Sequence, residues 1–283
     1  MSTRPVIDRV QDTASWVAMA RALESERKDA LFSDPLARKL AGAQGESMVR
    51  ALSHKAGGTW PIVARTLLID EHVNEAVKNG LDAVINLAAG LDSRPYRLPV
   101  PDSLTWVEVD HADVIDAKNE TLKDASPRCP VERIALDLSL STERLALFER
   151  LRARFPRSLV ITEGLLYYLE KDTALGLAKD LLTLQPQRWI TDLHNAAVAR
   201  YLAQRTGNAL RGSATMQFAT DVGPLIFEPL GWKAVTTTSV LMTAGRLKRL
   251  PFPISLFALL PEKPYGVPSR PWNGVCVLEP AHP

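Results

Sequence analysis

The 283-residue chain contains only two cysteines, too few for a disulfide scaffold or a cysteine-rich zinc module, and that usage fits a reducing compartment. Neither sign of charge is in large excess. Lysine and arginine number 34 against 32 acids, a net +2, which excludes the concentrated basic surface of a dedicated nucleic-acid binder. No apolar run approaches the ~18 residues of a membrane span, and the opening MSTRPVIDRVQDT lacks the apolar core of a secretory signal. The histidines at 54, 72, 111, 194 and 282 show no metal-ligand spacing such as H-E-x-x-H, so no metal is expected. Neither Cys129 nor Cys276 has a base recognisably near it, which leaves nucleophilic catalysis unsupported. Glycine is scarce as well: 15 against 20 prolines, the reverse of ordinary usage. The expectation is a soluble cytoplasmic globular protein without nucleic-acid or membrane partners, long enough to bury a sizeable core.

What the chain does have is alternation. Short apolar runs at 83–89, 104–109, 131–136, 158–162 and 188–193 are separated by helical stretches at 112–122, 141–154 and 171–184. Strand, helix, strand at this pace predicts a parallel sheet with helices on both faces, and the right-handed crossover rule makes it α/β, doubly wound and Rossmann-like. Two later runs, 232–240 and 273–279, complete a seven-stranded sheet, mostly parallel with an antiparallel C-terminal strand. Ahead of the sheet, residues 12–30 and 62–79 read as helices, the second with Ile62, Arg65, Ile69, Val73 and Ala76 on one face and Gly80 as its stop. This predicts an N-terminal helical cover over 1–80 and a core over 81–283, with an insertion near 206–224. Ten of the twenty prolines fall in 221–283, so the segment between the last two strands should be looped rather than a long helix.

Ligands of open α/β sheets sit outside the carboxyl ends of the strands. The first run ends in Ala88-Ala89-Gly90-Leu91-Asp92-Ser93-Arg94, the second at Asp110, the third at Asp137, the fourth at Glu163-Gly164 and the fifth at Asp192-Leu193-His194. One acid at a strand end is commonly a helix cap or a solvated turn; the ordered set argues for a cleft. Four carboxylates facing one cleft call for a ligand rich in donors or positive charge. A dinucleotide needs G-x-G-x-x-G for close backbone approach to its pyrophosphate, and Gly90 stands alone. S-adenosylmethionine suits the pattern: no phosphate, a sulfonium, an ammonium, a ribose diol and an adenine amine. Asp110 lies 20 residues after Gly90, near the spacing at which an acid meets ribose hydroxyls. Asp137 could accept from the adenine amine, and Glu163 could face the ammonium.

The string Asn86-Leu87-Ala88-Ala89-Gly90-Leu91-Asp92-Ser93-Arg94, with Tyr96-Arg97-Leu98, resembles the glycine motif of the leucine carboxyl methyltransferase superfamily. Trp106-Val107-Glu108-Val109-Asp110-His111 is similar to its second-strand motif. Thr162-Glu163-Gly164-Leu165-Leu166-Tyr167-Tyr168-Leu169 is similar to its fourth-strand motif. Thr13-Ala14, Arg21-Ala22, Glu24-Ser25, Phe32-Ser33-Asp34-Pro35-Leu36-Ala37 and Arg65-Thr66 also fit, so the resemblance covers roughly 12–195. It implies a class I S-adenosylmethionine-dependent O-methyltransferase, closest in type to the tetracenomycin-like enzymes that methylate polyketide carboxylates in secondary metabolism. It implies Arg65 for the cofactor carboxylate, Gly90 at its methionine part and Asp110 at the ribose, with Ala88, His111 and Gly164 also among the cofactor-binding residues. It also implies Asp137 and Leu138 at the adenine and Glu163 on the ammonium side. Two departures stand out: Ala88-Ala89-Gly90 replaces the usual Gly-Ala-Gly, and Asn86 stands where many members carry Asp.

A carboxylate acceptor is already ionised at neutral pH and needs an anchor, not a base; a phenol or hydroxyl acceptor needs a base. His194 and Tyr167 are the expected catalytic residues. His194 follows the fifth strand and could hydrogen-bond a carboxylate or, in the alternative reading, deprotonate a hydroxyl. The expected partner is a small-molecule acid. Residues 188–250 hold Arg188, Arg200, Arg205, Arg211, Lys233, Arg246, Lys248 and Arg249 against Asp192, Asp221 and Glu228, an excess that could steer an anion.

Overall fold

The apolar runs become strands because each distributes its side chains to two helix-covered faces. A computed structural model describes residues 10–52, 58–206, 216–259 and 271–281. Five strands run parallel: β1 (Ala83–Leu87), β2 (Thr105–Asp110), β3 (Val131–Ala135), β4 (Ser158–Thr162) and β5 (Arg188–His194). In β1, Ala83, Ile85 and Leu87 join one apolar cluster with Leu147, Phe148 and Leu151 of α6 (Ser141–Arg154) and Leu177 of α7 (Lys171–Asp180). Val84 points the other way. It packs with Leu68, Ile69 and Val73 of α3 (Trp60–Lys78) and with Val240 and Ala244 of α9 (Val240–Arg246). Period-two alternation thus divides the core into two layers.

The sheet order is β3-β2-β1-β4-β5-β7-β6. Strand β7 (Asn273–Pro280) inserts between β5 and β6 (Trp232–Ser239) and runs antiparallel to both. The expected seven strands and their direction are therefore observed. After β3 the chain crosses back over β2 and β1 to lay down β4, so a topological switch falls between β1 and β4. The crevice outside their carboxyl ends is where such sheets bind ligands.

Helix α5 (Ala112–Leu122) and α6 coincide with the predicted spans. The first helix does not reach residue 30. Helix α1 (Val10–Ser25) stops where Ser25 Oγ donates to the Arg21 carbonyl and accepts from the Asp34 amide, which turns the chain back. The stretch 171–184 splits into α7 and a 3-10 turn, Leu181–Leu184. Of the predicted insertion, residues 207–215 lie outside the described residues. Between β6 and β7 the described residues form α9 and a short 3-10 turn, Ile254–Leu259. Helix α3 shares the apolar cluster of the sheet, so the boundary drawn at residue 80 follows an element that is part of that layer. α1 and α2 (Ala37–Leu52) build a smaller cluster of their own, closed by Leu122 of α5. No helix among the described residues is long and apolar enough to cross a membrane.

Candidate active site

The carboxyl ends of β1, β2, β4 and β5 open into one cavity of about 1020 Å³, closed by α1, α3, α8 (Ala196–Thr206), α9 and the turn 254–259. That is the upper end of the range for a single small-molecule site. Its two halves differ in chemistry.

The first half is built from the turn after β1. Gly90 adopts φ +47, and a side chain there would meet the Ala14 methyl of α1 at 3.3 Å. The Gly90 amide donates to Asp110 Oδ2 at 2.7 Å and the His111 amide to Asp110 Oδ1 at 2.8 Å. Burial raises the Asp110 pKa, and these two amides oppose the rise. Ala88, two residues earlier, is also left-handed at φ +53. This is the position where related glycine motifs carry glycine. Asn86 donates to Asp92 Oδ2 at 2.8 Å, a bond that an ionised Asp at 86 could not donate.

Behind this turn lies an ion-pair network. Arg65 donates from Nε to Glu163 (2.9 Å) and from Nη1 to Asp192 (2.7 Å). Arg94, 2% exposed, donates to Asp70 (2.7 Å) and Glu163 (2.8 Å) and pairs with Asp92. Arg97 grips Asp70 with two nitrogens, and Arg21 holds Asp34 and the Leu91 carbonyl. Burial alone would push Asp92 upward, but Arg94 together with Lys118, Arg21 and Arg97 more than offsets it and the carboxyl falls to about 2. Glu163 is likewise held below its ordinary value, burial opposing and Arg94 and Arg65 prevailing. Arg65 is kept protonated by Asp192 and Glu163 against the effect of burial. Set Arg21, Arg65, Arg94 and Arg97 against Asp34, Asp70, Asp92, Glu163 and Asp192, and one carboxylate is in excess. That donor set suits a ligand with net positive charge, a diol for Asp110 and no phosphate, and S-adenosylmethionine fits it.

Asp192 was visible in sequence only as a strand-end acid without a role. It is 1% exposed and accepts from three groups: Arg65, the Gly164 amide at 2.7 Å and the Tyr167 hydroxyl at 2.6 Å. The signal for it was an acid inside a strand whose neighbours are apolar, since such a carboxylate must be held by donors. Burial and the adjoining Asp192 carboxylate raise the Tyr167 pKa well above normal, so its proton stays on the hydroxyl.

The second half is apolar. Val198 and Leu202 of α8, Leu241 and Met242 of α9, Ile254 and Phe257 line it, with Trp60 and Trp272. His194 stands at the seam, 3% exposed, its ring centroid 4.4 Å from that of Tyr167. Burial lowers its pKa to about 4, with Asp192 opposing. His194 Nε2 and the Nε1 atoms of Trp16 and Trp60 are buried without a hydrogen-bond partner, and all three residues line the cavity. A buried polar atom left unpaired costs about 1–3 kcal/mol, so three on one cavity mark it as a place where a ligand is received.

Of the residues singled out in sequence, Arg65, Ala88, Gly90, Asp110, His111, Glu163, Gly164, Tyr167 and His194 all line this cavity. Asp137 and Leu138 do not. Asp137 accepts from the Ser139 amide and lies within electrostatic reach of His111, while Leu138 packs on the core and its carbonyl accepts from Arg144. The basic excess in 188–250 is partly neutralised in three dimensions. Arg188 pairs with Glu75 and Glu279, and Arg249 with Glu24 and Asp29, all from outside that segment. Cys129 and Cys276 are buried free thiols, raised by burial to about 11 and about 12. Among the described residues no group of three His, Cys, Asp or Glu is placed to hold a metal ion.

Residues 14–181 match the leucine carboxyl methyltransferase family. A Streptomyces avermitilis protein, named "putative S-adenosyl-L-methionine-dependent methyltransferase", is 31% identical over 255 residues, 80% of this chain and 84% of that protein. A Mycobacterium bovis protein of the same name is 40% identical over 174 residues; the match spans 56% of this chain and only 57% of that relative's length. Among solved structures, one titled "putative methyltransferase", from Thermobifida fusca YX, has a TM-score of 0.54 at 14% identity, covering 98% of this chain and 96% of that one. At that identity the likeness is one of fold.

Proposed function

The chain belongs to the leucine carboxyl methyltransferase family, and on that premise we propose that it is an S-adenosylmethionine-dependent O-methyltransferase that converts a carboxylate of a small organic acid to its methyl ester. Bound S-adenosylmethionine supplies an electrophilic methyl group, which passes to a carboxylate oxygen as the carbon–sulfur bond breaks, with no proton to remove. The chain's own residues bind, orient and keep water out. Asp110 is set by two backbone amides to accept from a diol. Arg65 and Glu163, locked to each other and to Asp192 and Arg94, present one cation and one anion to the amino-acid end of the cofactor. Rigid placement of this kind is what a displacement needs, because the reacting oxygen, carbon and sulfur must fall in line.

The observation that carries the carboxylate reading is the state of His194. Its pKa of about 4 makes it neutral and a poor base at physiological pH. The other acids on this side are occupied: Glu163 by two arginines, Asp110 by two amides. A neutral imidazole can hydrogen-bond an ionised carboxylate, whereas a phenol would find no base matched to it. The resemblance to tetracenomycin-type enzymes supports an acceptor from secondary metabolism, of polyketide type. A methyl-transfer screen against carboxylic acids and phenols tests the reading. Esters should form at a rate flat between pH 6 and pH 9, and His194→Gln should raise KM more than it lowers kcat. Transfer to phenols alone, at a rate that His194→Gln abolishes near neutral pH and that returns at high pH as the phenol ionises, would establish the hydroxyl alternative instead.

A further inference from the structure

The four most exposed large hydrophobic side chains among the described residues all fall in one stretch: Phe252 (81%), Leu259 (80%), Phe257 (59%) and Leu256 (52%). Such clustering at a surface marks a contact site. The same stretch supplies Ile254 and Phe257 to the cavity wall, beside Leu241 and Met242 of α9. Phe257 therefore belongs both to the cavity and to the surface. The segment is fixed against α9, because Gly245 leaves no side chain between them; a Cβ there would fall 2.4 Å from the Ala258 methyl. Inside, the lining arginines Arg21, Arg65 and Arg94 are each already paired with carboxylates.

We propose that the acceptor is an elongated apolar monocarboxylic acid. Its carboxylate lies toward His194, its body along Leu241, Met242, Ile254 and Phe257, and its far end emerges at the exposed 252–259 segment. This rests on the carboxyl-methylating reading and narrows it. Among the described residues, the wall of Leu241, Met242, Ile254 and Phe257 carries no cation for a second carboxylate, and a short acid would leave the wall and the surface segment uncovered.

The test is equilibrium binding to the full-length protein saturated with S-adenosylhomocysteine. Dodecanoate, hexanoate and succinate serve as probes, with dodecanoate kept well below its micelle concentration. Dodecanoate should bind one per chain and about a hundredfold tighter than hexanoate, since most of six added methylenes leave water; succinate should not bind. Phe257→Asp should weaken dodecanoate about tenfold or more while S-adenosylmethionine affinity stays within about threefold, because Phe257 stands apart from the ion-paired end. Gly245→Leu, which pushes the 254–259 turn off α9, should give the same pattern. Equal affinities for the three acids, or dodecanoate binding that survives both substitutions, would overturn the proposal. A protein that binds S-adenosylmethionine and esterifies only short or doubly charged acids would overturn it while leaving the carboxyl-methylating reading standing. Failure to bind S-adenosylmethionine at all would remove both.

Discussion

At the strand ends, four arginines and five carboxylates interlock across α1, α3, β4 and β5. On the other side of the cavity, the wall of α8, α9 and the 254–259 turn offers methyl, methylene and phenyl surface. The first half is directional: each hydrogen bond fixes the position of its partners, and losing one leaves a buried charge unpaired. The second is non-directional: its side chains can shift without leaving any polar group unsatisfied. A methyl donor needs one fixed pose, whereas an acceptor pocket is shaped by volume. The difference teaches that this fold concentrates precision where the cofactor is expected and leaves the acceptor side open to variation.

The comparison breaks most sharply at Asp192. Asp192→Ala removes the partner of Arg65, the Gly164 amide and the Tyr167 hydroxyl together. Breaking a buried pair from one side costs about 3–5 kcal/mol, so urea unfolding should show a loss of that size, and calorimetry should show S-adenosylmethionine affinity falling about tenfold or more. Met242→Ala, on the opposite wall, faces open cavity and creates no new void, so it should cost less than about 1 kcal/mol and leave that affinity alone. Similar losses for both variants would mean that the two halves are one mechanical unit.

His194, at the seam, gives a pH signature. Its folded pKa of about 4 lies below the ordinary 6.5, so the fold favours the neutral ring. The stability from this preference is whole above pH 6.5 and drains away as pH falls from 6.5 to about 4, by about 3 kcal/mol in all. Unfolding midpoints followed across that window should fall more steeply in the native protein than in His194→Gln, and the difference curve isolates the histidine from the carboxylates titrating nearby. Parallel curves would mean that His194 is hydrated and charged like a surface histidine, and the argument against its role as a base would weaken with it.

The two halves also differ in how far sequence reveals them. The sheet was legible because each run is short, apolar and followed by a helix with its own periodicity. The polar half of the cavity was legible because its lining residues sit at strand ends in chain order, as Gly90, Asp110 and Glu163 do. Asp192 was read only in part: its position inside a strand was visible, but its three donors arrive from α3, the turn after β4 and a 3-10 turn at Leu166–Tyr168. Asp137 and Leu138 obeyed the same strand-end logic, yet β3 is the edge strand and its end falls beside the cavity rather than on its wall. The acceptor wall was illegible, since Val198, Leu241 and Phe257 lie in separate elements and share no spacing rule. The basic segment was a count along the chain, and in three dimensions Arg188 and Arg249 find their acids outside it.

The smallest predicted effect probes the precision of the cofactor half at one atom. Ala88 sits at φ +53, a conformation that strains any residue with a Cβ by roughly 1–2 kcal/mol. Glycine would relieve that strain but gain freedom in the unfolded chain, which offsets about half of it. Ala88→Gly should therefore stabilise the fold by no more than about 1 kcal/mol, read as a small upward shift of the unfolding midpoint. The same substitution removes a methyl that lines the cavity. If that methyl is part of the surface shaped to the cofactor, S-adenosylmethionine affinity should drop a few-fold even as the fold gains stability, and the strain at Ala88 is then maintained for binding. If affinity is unchanged or improves, Ala88 is only a tolerated departure from glycine, and the tightness of the first half resides in its ion pairs alone.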